Sequence, residues 1–524
     1  MDKLNIKIWG GAALLLALSA SCNDWLQEPS PGVTKLKDYF TGGETAVQSV
    51  NGCYAPLEWE YNKTFYPEWF IGDVVSDDAL KGGQNTNDMA DVYDMENWKT
   101  MPNNTLLLDF YRAQYQGIAR CNLTIDYVCQ MPTDESLSLQ LRNRVLGEAH
   151  FLRAYYYFRL VRVFGGVPLV DFVVDSDTKW SQPRSSVAAL YEFIKDDLEF
   201  AQMNLPEKSQ YADSDLGRAT KGAAEAMLLK ANLYTRDYDK AIQWGDSVIS
   251  KGQYSLCPDY ADNFTLEGEN GPESVFEIQY AEEPTSDYGE GNGFTRGCFD
   301  VIMTRSRSSL LGGGWGFNHP TQNLYDEYES GDIRRDVTIL TPAAAQMENP
   351  AQETYLGSAY HNRKYGMYTS DDNYSYYKLT HPSRGPINNK QIRYADVLLM
   401  YAEACAELGK EAPAIEALNM VRLRAGLRAY PGYSFRVNGV EDAAPSLLKA
   451  IRHERRMELA MEGHRWFDLC RWGVAKETMD AYKATETEEA RSHMAEFIKG
   501  KHELFPIPYD EIDLNPVMEQ NPGY

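Results

Sequence analysis

The run Gly147–Val170, GEAHFLRAYYYFRLVRVFGGVPLV, restricts the fold more than any other part of the chain. Phe151, Leu152, Tyr155, Tyr156, Leu160 and Phe164 recur at helical spacing, so one helix carries them on a broad apolar face. Gly165-Gly166 can take the left-handed conformations that end a helix, and Pro168 cannot continue one. A helix this apolar has to be buried in a large body. The 524 residues are enough for one large core, or for two to three lobes.

Further helical signals come in pairs. Thr220–Thr235 carries Ala223, Met227, Ala231 and Tyr234 at helical spacing, and Arg236–Asp239 connects it to Lys240–Ser250. A second pair runs Tyr394–Leu408, Gly409-Lys410, then Ala412–Ala425. Small residues at Ala402, Gly409 and Ala414 let two antiparallel helices approach closely, with Gly409 turning the chain. With helices near Gln140–Phe164 and Val187–Met203, the pattern predicts a mostly α fold. It has the rhythm of a tetratricopeptide-like helical-repeat scaffold. Glu60–Met101 and Leu256–His381 break that rhythm. They are rich in Gly, Asp and Asn, with a few strand-like runs such as Ser274–Tyr280. Long irregular segments of this kind carry function more often than packing. They are read as one loop-rich lobe, from about 60–101 and 256–381, on the helical scaffold.

The N-terminus is a targeting segment. Lys3 and Lys7 precede an apolar run from Ile8 to Ala20, too short to span a bilayer. Leu18-Ser19-Ala20-Ser21-Cys22 then reads as a lipoprotein processing site. The expected division is a signal peptide at 1–21, a lipidated tether at 22–35 and a single body at 36–524. The alternative is an ordinary secretory peptide with an incidental cysteine. Acyl chains on Cys22 would hold the body to a membrane. The other seven cysteines are irregularly spaced and odd in number, which is no disulfide framework. Cys405 and Cys470 lie in helical text and read as small buried hydrophobes.

A formal charge of -25, from 76 acidic and 51 basic side chains, makes nucleic acid and anionic membrane surfaces poor partners. It also disfavours a strongly polyanionic glycan. Enzyme signatures are missing: His453-Glu454 has no second histidine at zinc spacing, and no Walker A loop or GxSxG elbow occurs. Asp213–Gly217 (DSDLG) is a fragment of a calcium loop without the downstream ligands, so no metal site is assigned. No cofactor is implied. A glycosidase needs only two carboxylates placed by the fold, which sequence cannot exclude. Glu454, Glu458 and Glu462 lie four apart near Arg455, Arg465 and Arg471, and read as a structural charge network.

Five stretches together resemble the SusD/RagB family of outer-surface nutrient-binding lipoproteins. They are Gly147–Val170, Gly314–Asp332 (GWGFNHPTQNLYDEYESGD), Arg393–Glu403 (RYADVLLMYAE), Ile451–Gly473 (IRHERRMELAMEGHRWFDLCRWG) and the closing Asn521–Tyr524. The resemblance implies a non-enzymatic protein at the cell-surface face of the outer membrane. Such a protein captures oligosaccharides and delivers them to a SusC-like TonB-dependent transporter. Peptide capture of the same uptake type, or a surface glycan hydrolase, are the alternatives. A glycan site needs aromatic planes for sugar faces and Asp, Asn or Arg for hydroxyls. The two loop regions offer Trp69, Asp77, Asp78, Asn85 and Trp98 from the first, and Tyr288, Asn292, Arg296 and Trp315 from the second. Core packing is the alternative for each tryptophan. Trp98 and Trp315 stand out because each sits among polar or glycine residues.

Overall fold

The computed structural model describes residues 36–58, 68–174, 181–282, 297–308, 313–344, 358–367 and 384–524. Cys22, Tyr288, Asn292 and Arg296 lie outside these residues. The longer helices are α1 (Gly43–Tyr54), α2 (Thr105–Gln130), α3 (Leu139–Phe164), α4 (Val187–Asn204), α5 (Lys221–Tyr234) and α6 (Tyr238–Ser250). They continue as α7 (Tyr394–Glu407), α8 (Glu411–Arg424), α9 (Leu447–Leu459), α10 (Arg465–Trp472) and α11 (Ala475–Thr485). From α1 to α9 each helix packs on its predecessor, the neighbour-on-neighbour stacking of a tetratricopeptide-like solenoid. None of the described helices is long and apolar enough to cross a membrane.

Local chemistry sets the helix ends. Asn104, Ser138, Ser186 and Thr220 each accept a backbone N–H in the first turn of α2, α3, α4 and α5, at 3.0–3.2 Å. Each such cap stabilises its helix by about 1 kcal/mol. α3 stops at Gly165, which has φ 71°. Between α7 and α8 the chain turns at Gly409 (φ 68°), and the Lys410 N–H reaches back to the Cys405 carbonyl at 2.8 Å. α1 and α11 have no counterpart in the sequence reading, and neither does the 26-residue α2. α2 crosses α3 so tightly that a Cβ on Gly117 would lie 2.4 Å from the Tyr156 ring.

Among the described residues the strands form four antiparallel pairs: β1 (Ala79–Gly82) with β3 (Phe317–Pro320), β2 (Ser274–Ile278) with β6 (Asn389–Arg393), β4 (Ile339–Leu340) with β5 (His361–Asn362), and β7 (Phe435–Val437) with β8 (Val440–Asp442). β1 and β3 join the two irregular regions directly, with Ala79 opposite Pro320 and Gly82 opposite Phe317. β6 runs straight into α7, and the Tyr394 N–H donates to the Glu273 carbonyl at 2.8 Å.

Buried charge fastens this lobe to the scaffold. Glu454 binds Arg334 (2.6 Å) and Arg422 (2.7 Å), and Glu458 binds Arg334 (3.0 Å), Arg393 (2.9 Å) and Arg424 (2.5 Å). Glu462 binds Arg393 (2.8 Å) and Lys364 (2.7 Å). The three glutamates do form a structural network, but not with the arginines beside them in sequence. Arg455 serves Asp396 and Asp468, Arg465 serves Asp77, and Arg471 serves Glu403. α9 also ends at Leu459, so Glu462 is carried by the following turn and not by the helix face. Charges this deep are tolerated only when paired. Cys405 is buried and Cys470 half-buried, its Sγ 3.7 Å from the Glu503 carbonyl.

Candidate functional site

Of the predicted contact residues that the structure describes, the two not buried, Asn85 and Trp315, lie where β1 leaves the strand pair. Gly82 and Gly83 have φ of 70° and 77°, and the turn they begin lies against β3. A Cβ on Gly82 would meet the Gly316 carbonyl oxygen at 2.2 Å, and the Gly83 N–H donates to that oxygen at 2.6 Å. Asn85 is exposed in this turn, beside exposed Gln84 and Asn87. The Asn85 side-chain carbonyl accepts the N–H groups of Asn87 (2.9 Å) and Asp88 (3.1 Å), which shapes the turn. Trp315 directly precedes Gly316. It is half-buried and stands edge-on to Phe299, ring centroids 5.1 Å apart. The strand pair thus draws Asn85 and Trp315, one predicted from each loop region, onto adjoining backbone.

Four predicted contact residues point elsewhere. Asp77 and Asp78 are buried, at 0% and 1% exposure. Asp77 takes Arg465 at 2.8 and 2.9 Å and Arg456 at 3.0 Å, while Asp78 takes Arg456 at 2.8 Å. Burial opposes ionisation of Asp77, but the two guanidiniums outweigh it and hold its pKa at about 2. The pair clamps β1 to α9 and is closed to ligand. Trp98, 5% exposed, packs edge-on against Phe497 at 5.4 Å and anchors the C-terminal segment. Polar neighbours in sequence misplaced it, because its apolar partner is almost four hundred residues away. Trp69 is also 5% exposed, and its indole N–H donates to Asp300 at 2.9 Å. Burial raises the Asp300 pKa to about 6.

Trp69 lines a small polar cavity of about 30 Å³ with Arg159, Tyr280, Tyr365, Asn389 and Gln391. Room for about one water is too little for a sugar ring. The sequence reading missed these partners. The one available signal was the alternation of Asn389 and Gln391 along β6, which puts both on one face.

Larger openings of about 660 and 460 Å³ flank the β7–β8 hairpin. The second includes Trp472, but its ring faces Arg452 and Arg471 at 5.0 and 4.9 Å and its N–H is held by Glu403 at 2.8 Å. Near the first, ligand atoms of Glu329, His453 and Glu454 lie within 4.8 Å of one another, a spacing that a metal ion could use. Arg422 already binds both carboxylates, at 2.8 and 2.7 Å. The cation of that cluster is a guanidinium.

Residues 272–524 match the family model described as SusD family, and residues 35–233 match one described as starch-binding associating with outer membrane. SusD-like protein P2 of Formosa agariphila is 27% identical over 539 residues, covering 98% of each chain. Starch-binding protein SusD of Bacteroides thetaiotaomicron is 23% identical over 544 residues, covering 93% of this chain and 91% of that one. Among solved structures, a laminarin-binding SusD-like protein superposes with a TM-score of 0.78 at 28% identity, over 93% of this chain and 100% of that one. Surface glycan-binding protein A from Bacteroides thetaiotaomicron, in complex with laminarihexaose, superposes with a TM-score of 0.76 at 25% identity, over 92% of this chain and all of that one. On matching sequence models at both ends and a shared fold throughout, the chain belongs to the SusD/RagB family.

Proposed function

We propose that this protein captures neutral glycans at the cell surface, without cleaving them, for delivery to a SusC-like outer-membrane transporter. The carrying observation is that the β1–β3 pair brings the exposed amide turn Gln84–Asn87 and half-buried Trp315 onto adjoining backbone. An indole face covers the apolar side of a pyranose, and amide tips bond its hydroxyls. Likeness over more than nine-tenths of the chain to proteins described as binding laminarin and laminarihexaose supports a glucan among those glycans. The net charge of -25 argues against polyanionic ligands. Against hydrolysis, Asp77 and Asp78, the two carboxylates predicted as contacts from the first loop region, are engaged by arginines. Asp77 ionises far too readily for a general acid.

The deciding experiment is affinity electrophoresis of Asn23–Tyr524 through a panel of neutral and charged polysaccharides, with reducing ends measured on the same mixtures. Retardation by a neutral glycan with no ends released is the expected result. Released ends would make the protein a hydrolase, and silence across the panel with saturable peptide binding would favour the peptide alternative. Anchoring through Cys22 is tested separately, since Cys22→Ala should move the protein from membranes to the soluble fraction.

A further inference from the structure

The turn that carries Gln84, Asn85 and Asn87 is wrapped around a cation that belongs to the chain itself. Lys81, the third residue of β1, is 2% exposed. Its ammonium donates to the backbone carbonyls of Gly82 (2.7 Å), Asn85 (3.2 Å) and Asp88 (2.8 Å), which uses all three of its N–H bonds. The Phe317 ring lies 5.4 Å from the nitrogen. Glu96 accepts the Lys81 backbone N–H at 2.9 Å, and Asp88 closes the turn by accepting the Gln84 N–H at 2.7 Å. Three convergent carbonyls with acidic side chains behind them are the surroundings that oxygen-rich loops offer a bound metal ion. Here the position is filled by a side chain.

We propose that Lys81 is the positioning residue of this site: its ammonium fixes the Gly82–Asp88 turn from inside, so that the exposed amides stand beside Trp315. Glycan affinity then depends on a charge that never touches the glycan. Besides the cage, the turn is held by its own short-range bonds, Asp88 accepting the Gln84 N–H and Asn85 those of Asn87 and Asp88. Its outward side chains are polar, and its tie to β3 is the single Gly83-to-Gly316 hydrogen bond. A turn of this length with mostly solvent-facing residues opens locally unless its carbonyls are engaged. The inference rests on the glycan-capture reading for its functional half, and on the carbonyl cage for its structural half.

The test compares the purified protein as cells make it with Lys81→Met, which keeps the stem and removes the charge, and Lys81→Ala, which leaves room for a replacement. Hydrogen exchange is followed at the amides of residues 83–88, and laminarin is the binding probe. Both variants should exchange about tenfold faster in this turn alone, with the β1–β3 amides unchanged. Laminarin affinity should fall by a similar factor. Adding n-propylammonium, the missing piece of the side chain, should restore slow exchange and affinity to Lys81→Ala, where equal sodium does not. Unchanged exchange in both variants would overturn the cage. Faster exchange with undiminished laminarin affinity would overturn the positioning role, and so would loss spread over the whole lobe without propylammonium rescue. If the unsubstituted protein ignores laminarin and the rest of the panel, the functional half falls with the capture reading, and the exchange data alone judge the cage.

Discussion

Trp98 has φ 56°, a backbone state that a bulky side chain keeps only where its surroundings over-determine it. Those surroundings are Phe497 against the ring edge, the Lys483 ammonium 5.9 Å above the ring, and the Ala495 N–H donated to the Asn97 carbonyl at 3.0 Å. Trp315 has open space on part of its surface and glycines on both sides. The same substitution should therefore separate the two. Trp98→Ala should cost roughly 3–5 kcal/mol of stability in denaturant unfolding, as large buried aromatics do, and leave the affinity of the folded fraction intact. Trp315→Ala should leave unfolding nearly unchanged and weaken glycan binding by about 1–3 kcal/mol, by analogy with base–aromatic stacking. Equal effects on both readouts would mean that the two side chains share one environment. Local text could not tell these residues apart, since each is flanked by polar residues or glycine. What distinguishes them is burial: Phe497, from the far end of the chain, closes in Trp98, whereas Trp315 stands half-buried beside nearby Phe299.

Among elements, the paired helices were legible because caps, small residues and the 3.6-residue period agree within each segment. α2 was not, although Asn104 and the spacing of Leu107, Phe110, Tyr111, Gln114, Ile118 and Cys121 mark its start and its buried face. The surroundings of α9 were half legible: a charge network was predicted, but its partners come from Arg334, Lys364, Arg393, Arg422 and Arg424, which only the fold assembles. That network and the clamp on β1 set a pH response. Burial opposes ionisation of Asp77 and Glu462, yet neighbouring cations hold both at about 2. Their contribution is complete above the unfolded carboxylate range and is lost as pH falls through it towards 2. His319 and His464 are pushed down by burial to about 4 and about 3, so their contribution is lost as pH falls below the unfolded value near 6.5. Glu96, Glu327 and Asp300 work the other way. Burial raises them to about 7, 6 and 6, so they favour the fold at low pH and lose that contribution as pH rises through those values. From pH 7 to 4 the raised acids, joined by Glu58 and Glu269 at about 7, oppose the histidines, joined by His502 at about 4, so the unfolding midpoint should not fall across this range. Below 4 the raised acids have no more to give, and Asp77 and Glu462 each withdraw roughly 2–3 kcal/mol. Urea midpoints from pH 7 to 2.5 should stay level or rise and then fall steeply. An even decline from neutral pH would contradict this account.

At the scale of the whole molecule, the closing residues of the sequence pack against the end of a helix far earlier in the chain. α3 is buried along nearly all of its C-terminal half, and its last carbonyls have no partner within the helix. They are satisfied from the last residues of the chain. Asn521, 4% exposed, donates to the Phe164 carbonyl at 2.9 Å and the Phe505 carbonyl at 2.7 Å, and accepts from Arg184 at 2.6 Å. The Phe505 N–H donates to the Val163 carbonyl at 2.8 Å, and Arg184 also binds the Gly166 carbonyl at 2.6 Å. The closing Asn-Pro-Gly-Tyr is therefore a cap placed on a helix more than three hundred and fifty residues earlier. Removing the side chain leaves buried carbonyls and part of a guanidinium without partners, so Asn521→Ala should lower stability by roughly 2–4 kcal/mol. Asn521→Asp keeps the size and the bond to Arg184 but turns both donors into acceptors facing carbonyls. It should destabilise at least as much as alanine if the donors are what matter. Deleting 521–524 should reproduce the alanine loss with no larger effect on glycan affinity per folded molecule, because the cap lies at the scaffold and not at the Asn85–Trp315 surface. A deletion variant with an unchanged unfolding midpoint would show that α3 does not need its far-end cap.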